Sequence, residues 1–182
     1  MILTVALTSS AVLALLQAPH HAESHAAKIA RAMRAASPTI SKKATIADID
    51  GTVLRPGSNG WTCKPGLSAT DSSPICNDSV WIRFWAAYDA KALFHTDRAG
   101  VGYMLAGDAG PGSNTDPFAE HQAPGDVWVQ EGPHVMVILP DTAQLAGISR
   151  DPNNGGPYVM WAGTPYAHIM VPVGPRPKRP SP

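Results

Sequence analysis

The sequence predicts an α+β fold in which a mainly antiparallel β-sheet is covered by one amphipathic aromatic helix and held by a disulfide. Three β-prone runs lie in the C-terminal third, at positions 133–139, 158–161 and 166–171, with turn residues between them. Aromatic side chains recur at helical spacing between Ser79 and Leu93. The 16 glycines and 18 prolines among 182 residues favour short elements joined by tight turns.

Length and charge limit the class of partner. A chain of 182 residues has room for one domain with a substantial core. Its 14 basic residues balance 14 acidic ones, so no net electrostatic field attracts nucleic acid or an anionic membrane surface. We expect neither as a partner, which leaves an unknown small molecule or another protein.

Residues 1–26 are predicted to form a signal peptide. Met1 to Leu16 contains no charged side chain and has the length of a signal h-region, short of the ~20 apolar residues that a transmembrane helix needs. Ser24-His25-Ala26 provides a small-x-small cleavage pattern. Because no Lys or Arg stands near Met1, an uncleaved anchor or a different start stays open. We expect a periplasmic or secreted protein without membrane contact after cleavage.

The rest of the chain divides by composition. Residues 27–43 are predicted to form an N-terminal helix and linker, because the alanine-rich run 24–36 ends ahead of Pro38. A single β-rich domain is expected over residues 44–173. The proline-rich and basic residues 174–182 are expected to be a disordered tail.

Asp48-Ile49-Asp50-Gly51-Thr52 resembles the Asp-x-Asp-Gly-Thr signature of haloacid-dehalogenase-type phosphatases. That resemblance implies a nucleophilic Asp48 and a general acid/base Asp50, with Mg²⁺ offsetting the phosphate charge. Against it, Lys42-Lys43 precedes the motif where that family has an apolar strand, and the alternating helices of a doubly wound sheet are not predicted. The alternative is a β-hairpin, because Asp-Gly between two β-prone runs is a strong turn signal.

Cys63 and Cys76 are the only cysteines. In an exported chain, an isolated pair predicts a structural disulfide, worth ~3 kcal/mol for a loop of this size. A metal or redox pair is the alternative, although the cysteines form no Cys-x-x-Cys motif and have no histidine nearby in the sequence.

One helix is predicted to dock on the sheet. Asn77-Asp78-Ser79 supplies the N-cap, and the large side chains that follow it share one helical face. A ligand-binding aromatic face is the alternative. The stripe consists of Trp81, Phe84, Trp85, Tyr88 and Ala92.

Two loops are candidate binding sites. The glycine-containing run 100–106 predicts a strand, and the polar loop 107–123 that follows is long enough to be functional. Asn114 and Asp116 would then stand at the rim of a site. Trp61, in the disulfide loop, would either pack over the bridge or contact a ligand.

Several separate blocks together resemble an uncharacterised family of small exported bacterial proteins. The resemblance covers about residues 53–173 and implies secretion and a single domain. It implies no activity, and it makes the Asp48–Thr52 run incidental. The blocks are Asn59–Cys63, Ser113–Pro117, Gly132–His134, Gly155–Trp161 and Gly163–Val173.

The two strongest β-prone runs each carry a His-x-Met motif, His134-Val135-Met136 and His168-Ile169-Met170. Residues i and i+2 of a strand point to the same face, so each run presents an imidazole beside a thioether. If the two strands pair, all four side chains gather on one face, a ligand set that suits Cu(I). Met104 and Met160 could add to this predicted metal site.

Two other interpretations of these side chains stay open. Methionines at alternating positions are ordinary core residues, and each histidine could simply hydrogen-bond the backbone. The histidines could instead pair with Asp108 or Asp116 as an acid/base couple, although no Gly-x-Ser-x-Gly or His-Glu-x-x-His motif accompanies them. No catalytic residue is therefore predicted. The sequence favours a non-enzymatic binding or accessory module, with a Cu(I)-binding protein and a metal-dependent phosphatase as alternatives.

Overall fold

Residues 23–68 and 70–178 are described by a computed structural model. Most of the predicted signal peptide, residues 1–22, lies outside these ranges, as do residues 179–182 of the predicted tail. The described chain contains helices α1 (His25–Ala32), α2 (Pro38–Ser41) and α3 (Ser79–Asp89), with 3-10 turns at Met33–Ala35 and Thr142–Leu145. Within the described ranges, none of the helices combines the length and the hydrophobicity needed to span a membrane.

The sheet has eight strands, and only one neighbouring pair in it is parallel. The ten strands of the described chain are β1 (Thr45–Ala47), β2 (Val53–Arg55), β3 (Thr62–Lys64), β4 (Ile75–Asn77), β5 (Gly100–Met104), β6 (Gly112–Ser113), β7 (Trp128–Val129), β8 (His134–Ile138), β9 (Tyr158–Met160) and β10 (His168–Pro172). The large sheet has the order β2-β1-β3-β4-β5-β8-β10-β9, and β6 and β7 form a separate pair. Only β1 and β3 pair in parallel. The predicted α+β, mainly antiparallel fold is confirmed.

The aromatic helix α3 covers one face of the sheet. Asp78 starts it, because the Asp78 side chain accepts hydrogen bonds from the backbone N–H groups of Val80 and Trp81. Trp81 and Phe84 are fully buried against β4, β5, β8, β9 and β10. The helix ends at Asp89, four residues earlier than predicted, and Lys91 has a φ of 50° in the left-handed region, which a helix cannot continue.

The opposite face is covered by α1, which belongs to the domain and is not a linker ahead of it. Ser24 caps α1, and Ala32 and Ala35 pack against Ile46 of β1. The Cys63–Cys76 disulfide lies in the same cluster and joins directly opposed residues of β3 and β4. The predicted disulfide is therefore present.

Residues 174–178 are held against the domain, so the prediction of a disordered tail does not apply to them. The Arg176 guanidinium donates to the buried Glu131 carboxylate, with an Nε–Oε1 distance of 3.0 Å. Gly132 lies so close to this segment that an added Cβ would be 2.0 Å from the Pro175 carbonyl oxygen. An ion pair between residues 45 positions apart leaves no local signal in the sequence.

Candidate functional site

The sheet face beneath α3 carries two histidines and four methionines. His134 of β8 lies opposite Met104 of β5, and His168 of β10 lies opposite Met160 of β9. Met136 and Met170 oppose each other between β8 and β10. Directly opposed residues of antiparallel strands point to the same side of the sheet, so all six side chains share one face. We call these six residues the His/Met face.

Gly102 makes room for this arrangement. It lies opposite Met136, and a Cβ at that position would be only 3.0 Å from the Met136 methyl carbon and 3.4 Å from the Trp81 ring. This glycine in β5 allows the helix and a methionine to approach the strand closely.

The register changes the geometry predicted for the metal site. His134 lies opposite Pro172, whereas His168 is four residues away from Pro172 on β10. At ~3.3 Å per residue, the two histidine Cα atoms are about 13 Å apart along the strand direction. The four predicted ligands share a face, but they do not surround one point: the methionines meet at the centre and the histidines stand at opposite ends.

Each histidine presents an unpaired ring nitrogen. Nδ1 of His134 is 2.8 Å from the Gly132 carbonyl oxygen, and Nδ1 of His168 is 2.9 Å from the Tyr166 carbonyl oxygen. Because a carbonyl oxygen only accepts, Nδ1 carries the proton and donates, so the neutral ring keeps its lone pair on Nε2. Neither Nε2 atom has a hydrogen-bond partner among the described residues, and both side chains are 1% exposed.

Burial keeps the ring of His168 neutral. Desolvation lowers its pKa to about 4, against the raising effect of the hydrogen bond to the Tyr166 carbonyl oxygen. The rings of Trp81, Phe84 and Trp161 meet the imidazole nearly edge-on, with centroids 5.0–5.9 Å away. At neutral pH, His168 therefore has an uncharged ring whose Nε2 lone pair can bind a metal ion, inside an apolar, aromatic environment.

A cavity of about 370 Å³ lies over the His/Met face and is lined by all six of its residues. α3 contributes Trp85 and Tyr88 to its wall, and the loop after β5 contributes Asp108 and Asp116. The buried Trp85 Nε1 also has no hydrogen-bond acceptor among the described residues. A concave, mostly apolar space with a few polar side chains in its wall is typical of a ligand site.

Trp161 is fixed over this cavity by its backbone and its ring. Its φ of 56° is unfavourable for a bulky residue and costs on the order of 1 kcal/mol or more. The backbone N–H donates to the Asn114 carbonyl oxygen at 2.8 Å, and the ring Nε1 donates to the Ser113 carbonyl oxygen at 2.9 Å. These bonds tie the end of β9 to the loop after β5, and they hold the indole beside His168.

Asp108 is the charged group nearest to either histidine nitrogen. Its Oδ1 is 4.0 Å from His134 Nε2, and its Oδ2 accepts from the Glu131 backbone N–H at 2.7 Å. Burial raises the pKa of Asp108 to about 6, against the lowering effects of His134 and of the backbone hydrogen bond. The pairing of Asp108 with a histidine was one of the alternatives drawn from the sequence, and the two groups do lie beside each other.

The predicted binding-loop residues do not form one site. Asn114 is buried and donates from Nδ2 to the Arg150 carbonyl oxygen, while Asp116 lines the cavity and caps Phe118. Trp61 belongs to the cluster around the disulfide on the opposite face, with its ring 5.3 Å from that of Tyr103. Of the two roles that the sequence offered for Trp61, the structure shows packing near the disulfide.

Asp48 and Asp50 stand in a β-hairpin. The Asp48 N–H donates to Thr52 O at 2.8 Å, and Gly51 has the positive φ of 88° that such a turn requires. Asp48 is paired with Lys28, whose ammonium group holds the pKa of that carboxyl below its usual range. Phosphatase activity stays a prediction from the motif, and the surroundings of the two carboxyls provide no support for it.

The described part of the chain has no cluster of the usual metal-binding side chains. No three His, Cys, Asp or Glu side chains come together there in an arrangement that could hold an ion. Among the side chains of the cavity wall, sequence reasoning missed Trp161 as a site residue, since an aromatic residue at a strand end also fits core packing. Trp85 belongs to the helical stripe for which a ligand-binding face was the alternative prediction.

Comparison with known proteins supplies no function for the chain. No protein-family model, curated protein or solved structure matches it. The functional argument therefore depends on the cavity and its side chains.

Proposed function

We propose that the protein is an exported, non-enzymatic binding protein whose ligand occupies the cavity over the His/Met face. One observation carries the proposal: two fully buried histidines line the same cavity, and the Nε2 atom of each imidazole has no hydrogen-bond partner among the described residues. Leaving a buried polar atom unpaired costs ~1–3 kcal/mol. A core without a binding role would gain stability from apolar residues at both positions.

The ligand that fits this donor set best is Cu(I). Neutral imidazole and thioether are the borderline and soft ligands that select Cu(I) over Mg²⁺ or Ca²⁺. Four methionines adjoin the two histidines on one face, and Met104, Met136 and Met170 are each at most 3% exposed. Thioether sulfur is uncharged, so the methionines leave no unpaired charge in the core when the ion is absent. We therefore expect the protein to fold with or without its ligand.

Export is part of the same proposal. The disulfide supports it, because such bonds persist in oxidising compartments. The apolar N-terminal run and the resemblance to small exported bacterial proteins support it as well.

An anaerobic titration of the full chain with Cu(I) against a chromophoric chelator tests the function. Wild type should take copper from the chelator, and a His168→Ala, Met170→Ala double variant should take less. A Met33→Leu variant is the matched control, because Met33 lies beside α1 on the opposite face. Wild type that takes no copper, or a double variant that binds like wild type, would exclude Cu(I) as the ligand.

A second test addresses an organic ligand. Native mass spectrometry of the protein exported by its own signal peptide would show a bound small molecule as a mass difference that disappears on denaturation. If such a molecule is found in protein that takes no copper, the cavity remains the proposed binding site and the organic molecule replaces Cu(I) as the proposed ligand.

A further inference from the structure

The His/Met face has a local two-fold symmetry. The register joins Met136 to Met170 at its centre, and stepping two residues back on each strand leads to His134 on β8 and His168 on β10. The symmetry extends to the outer strands, where Met104 lies opposite His134 and Met160 lies opposite His168.

The backbone around the two histidines repeats as well. Each imidazole donates Nδ1–H to the carbonyl oxygen two residues earlier in the chain, at 2.8 and 2.9 Å. Both Nε2 atoms are buried and unpaired. The face is therefore built from two equivalent units, each with one imidazole nitrogen, one methionine directly across the sheet and one methionine two positions along the strand.

We infer that the His/Met face holds two monovalent soft metal ions, one in each unit, and not one ion shared by all the ligands. This inference rests on the proposed function. The first unit is His134, Met104 and Met136, and the second is His168, Met160 and Met170. Within a unit, directly opposed residues have Cβ atoms ~5 Å apart, and residues i and i+2 are ~6.6 Å apart, close enough for three side chains to converge on one ion. The histidine Cα atoms are ~13 Å apart along the strand direction, so each imidazole belongs to its own unit.

The two units differ in their surroundings, which makes them distinguishable. The second unit is enclosed by aromatic rings, with the Trp161 centroid 5.0 Å and the Trp81 centroid 5.2 Å from the His168 ring. A cation there also faces π-systems, which attract it. The first unit has the Asp108 carboxylate 4.0 Å from its imidazole nitrogen. An ion in the second unit should therefore quench tryptophan fluorescence more strongly than an ion in the first.

Silver(I), which needs no reductant, is the probe for the number of ions. Native mass spectrometry of the full chain titrated with Ag(I) should show two ions on wild type and one on each of the variants Met104→Leu and Met160→Leu. Leucine removes the sulfur and nearly conserves the volume, so both variants should fold, which circular dichroism checks. Met33→Leu, on the opposite face, should still bind two. Quenching should be reduced more by Met160→Leu than by Met104→Leu.

The possible results separate the inference from the function on which it rests. A single ion on wild type, or loss of all binding in either leucine variant, would overturn the two-unit arrangement and leave a shared site. Two ions on both leucine variants would also overturn it, because neither methionine would be a ligand. Binding of neither silver nor copper by wild type would refute the proposed soft-metal function itself.

Discussion

Replacing Asp108 with Asn should stabilise the protein at neutral pH. Burial raises the pKa of Asp108 from 3.8 to about 6, so the folded state binds this proton more tightly than the unfolded chain does. Between these two values the folded state holds more protons, and stability falls as pH rises. One pKa unit corresponds to ~1.4 kcal/mol, so ionised Asp108 costs about 3 kcal/mol well above pH 6.

The variant Asp108→Asn removes that cost and keeps the local contacts. The Asn oxygen can still accept from the Glu131 N–H, and its amide can donate towards His134 Nε2, 4.0 Å from the present carboxylate oxygen. We expect a gain of about 2–3 kcal/mol in the free energy of unfolding at pH 7.5, and about 0.5 kcal/mol or less at pH 4.

Urea unfolding followed by tryptophan fluorescence at both pH values measures the gain. Asp97→Asn is the control, because Asp97 is exposed and its side chain has no hydrogen bond or ion pair among the described residues. It should change stability by less than ~0.5 kcal/mol. No gain at pH 7.5, or the same gain at both pH values, would contradict the burial of an ionised carboxyl beside the cavity.

Three further predictions address parts of the fold that support the site. Burial lowers the pKa of His168 to about 4, so the unfolded chain binds more protons than the folded state between pH 6.5 and 4. The free energy of unfolding should therefore fall by up to ~3 kcal/mol as the pH drops through this window. This pH dependence should be most evident in the variant Asp108→Asn and should be lost in the double variant Asp108→Asn, His168→Gln. Arg176→Met removes the ion-pair partner of the fully buried Glu131 carboxylate, which then keeps only the hydrogen bond from the Tyr158 hydroxyl, and should cost ~3–5 kcal/mol in urea unfolding. Lys178→Met, at an exposed position, should cost almost nothing, and equal effects of the two variants would contradict the ion pair. The double change Cys63→Ser, Cys76→Ser should lower the free energy of unfolding by ~3 kcal/mol, and a reductant should then have no effect on the variant's melting temperature.

The sequence was sufficient for the features that local patterns determine. The i, i+2 spacing in each His-x-Met run put both side chains of a run on one face, and Asp78 marked the start of the aromatic helix. The Asp50-Gly51 pair predicted a hairpin turn, and the structure has one there.

What the sequence could not determine was the register and the partners that come from distant parts of the chain. A two-residue shift between β8 and β10 would keep every side chain on its face while moving His134 relative to His168, so the position of the histidines at opposite ends was not predictable. The Glu131–Arg176 pair and the packing of α1 on the disulfide face both depend on contacts between segments far apart in sequence. Such contacts hold α1 and residues 174–178 against the domain, and no local pattern in those stretches indicates them.

X-ray absorption at the copper edge of the Cu(I)-loaded chain tests the central claim most directly, because it reports which atoms surround the ion. Our account predicts one nitrogen and two sulfur neighbours per copper, and a smaller sulfur contribution in a Met136→Leu, Met170→Leu variant. A shell of nitrogen and oxygen without sulfur, or a spectrum unchanged in that variant, would show that the His/Met face does not bind the metal.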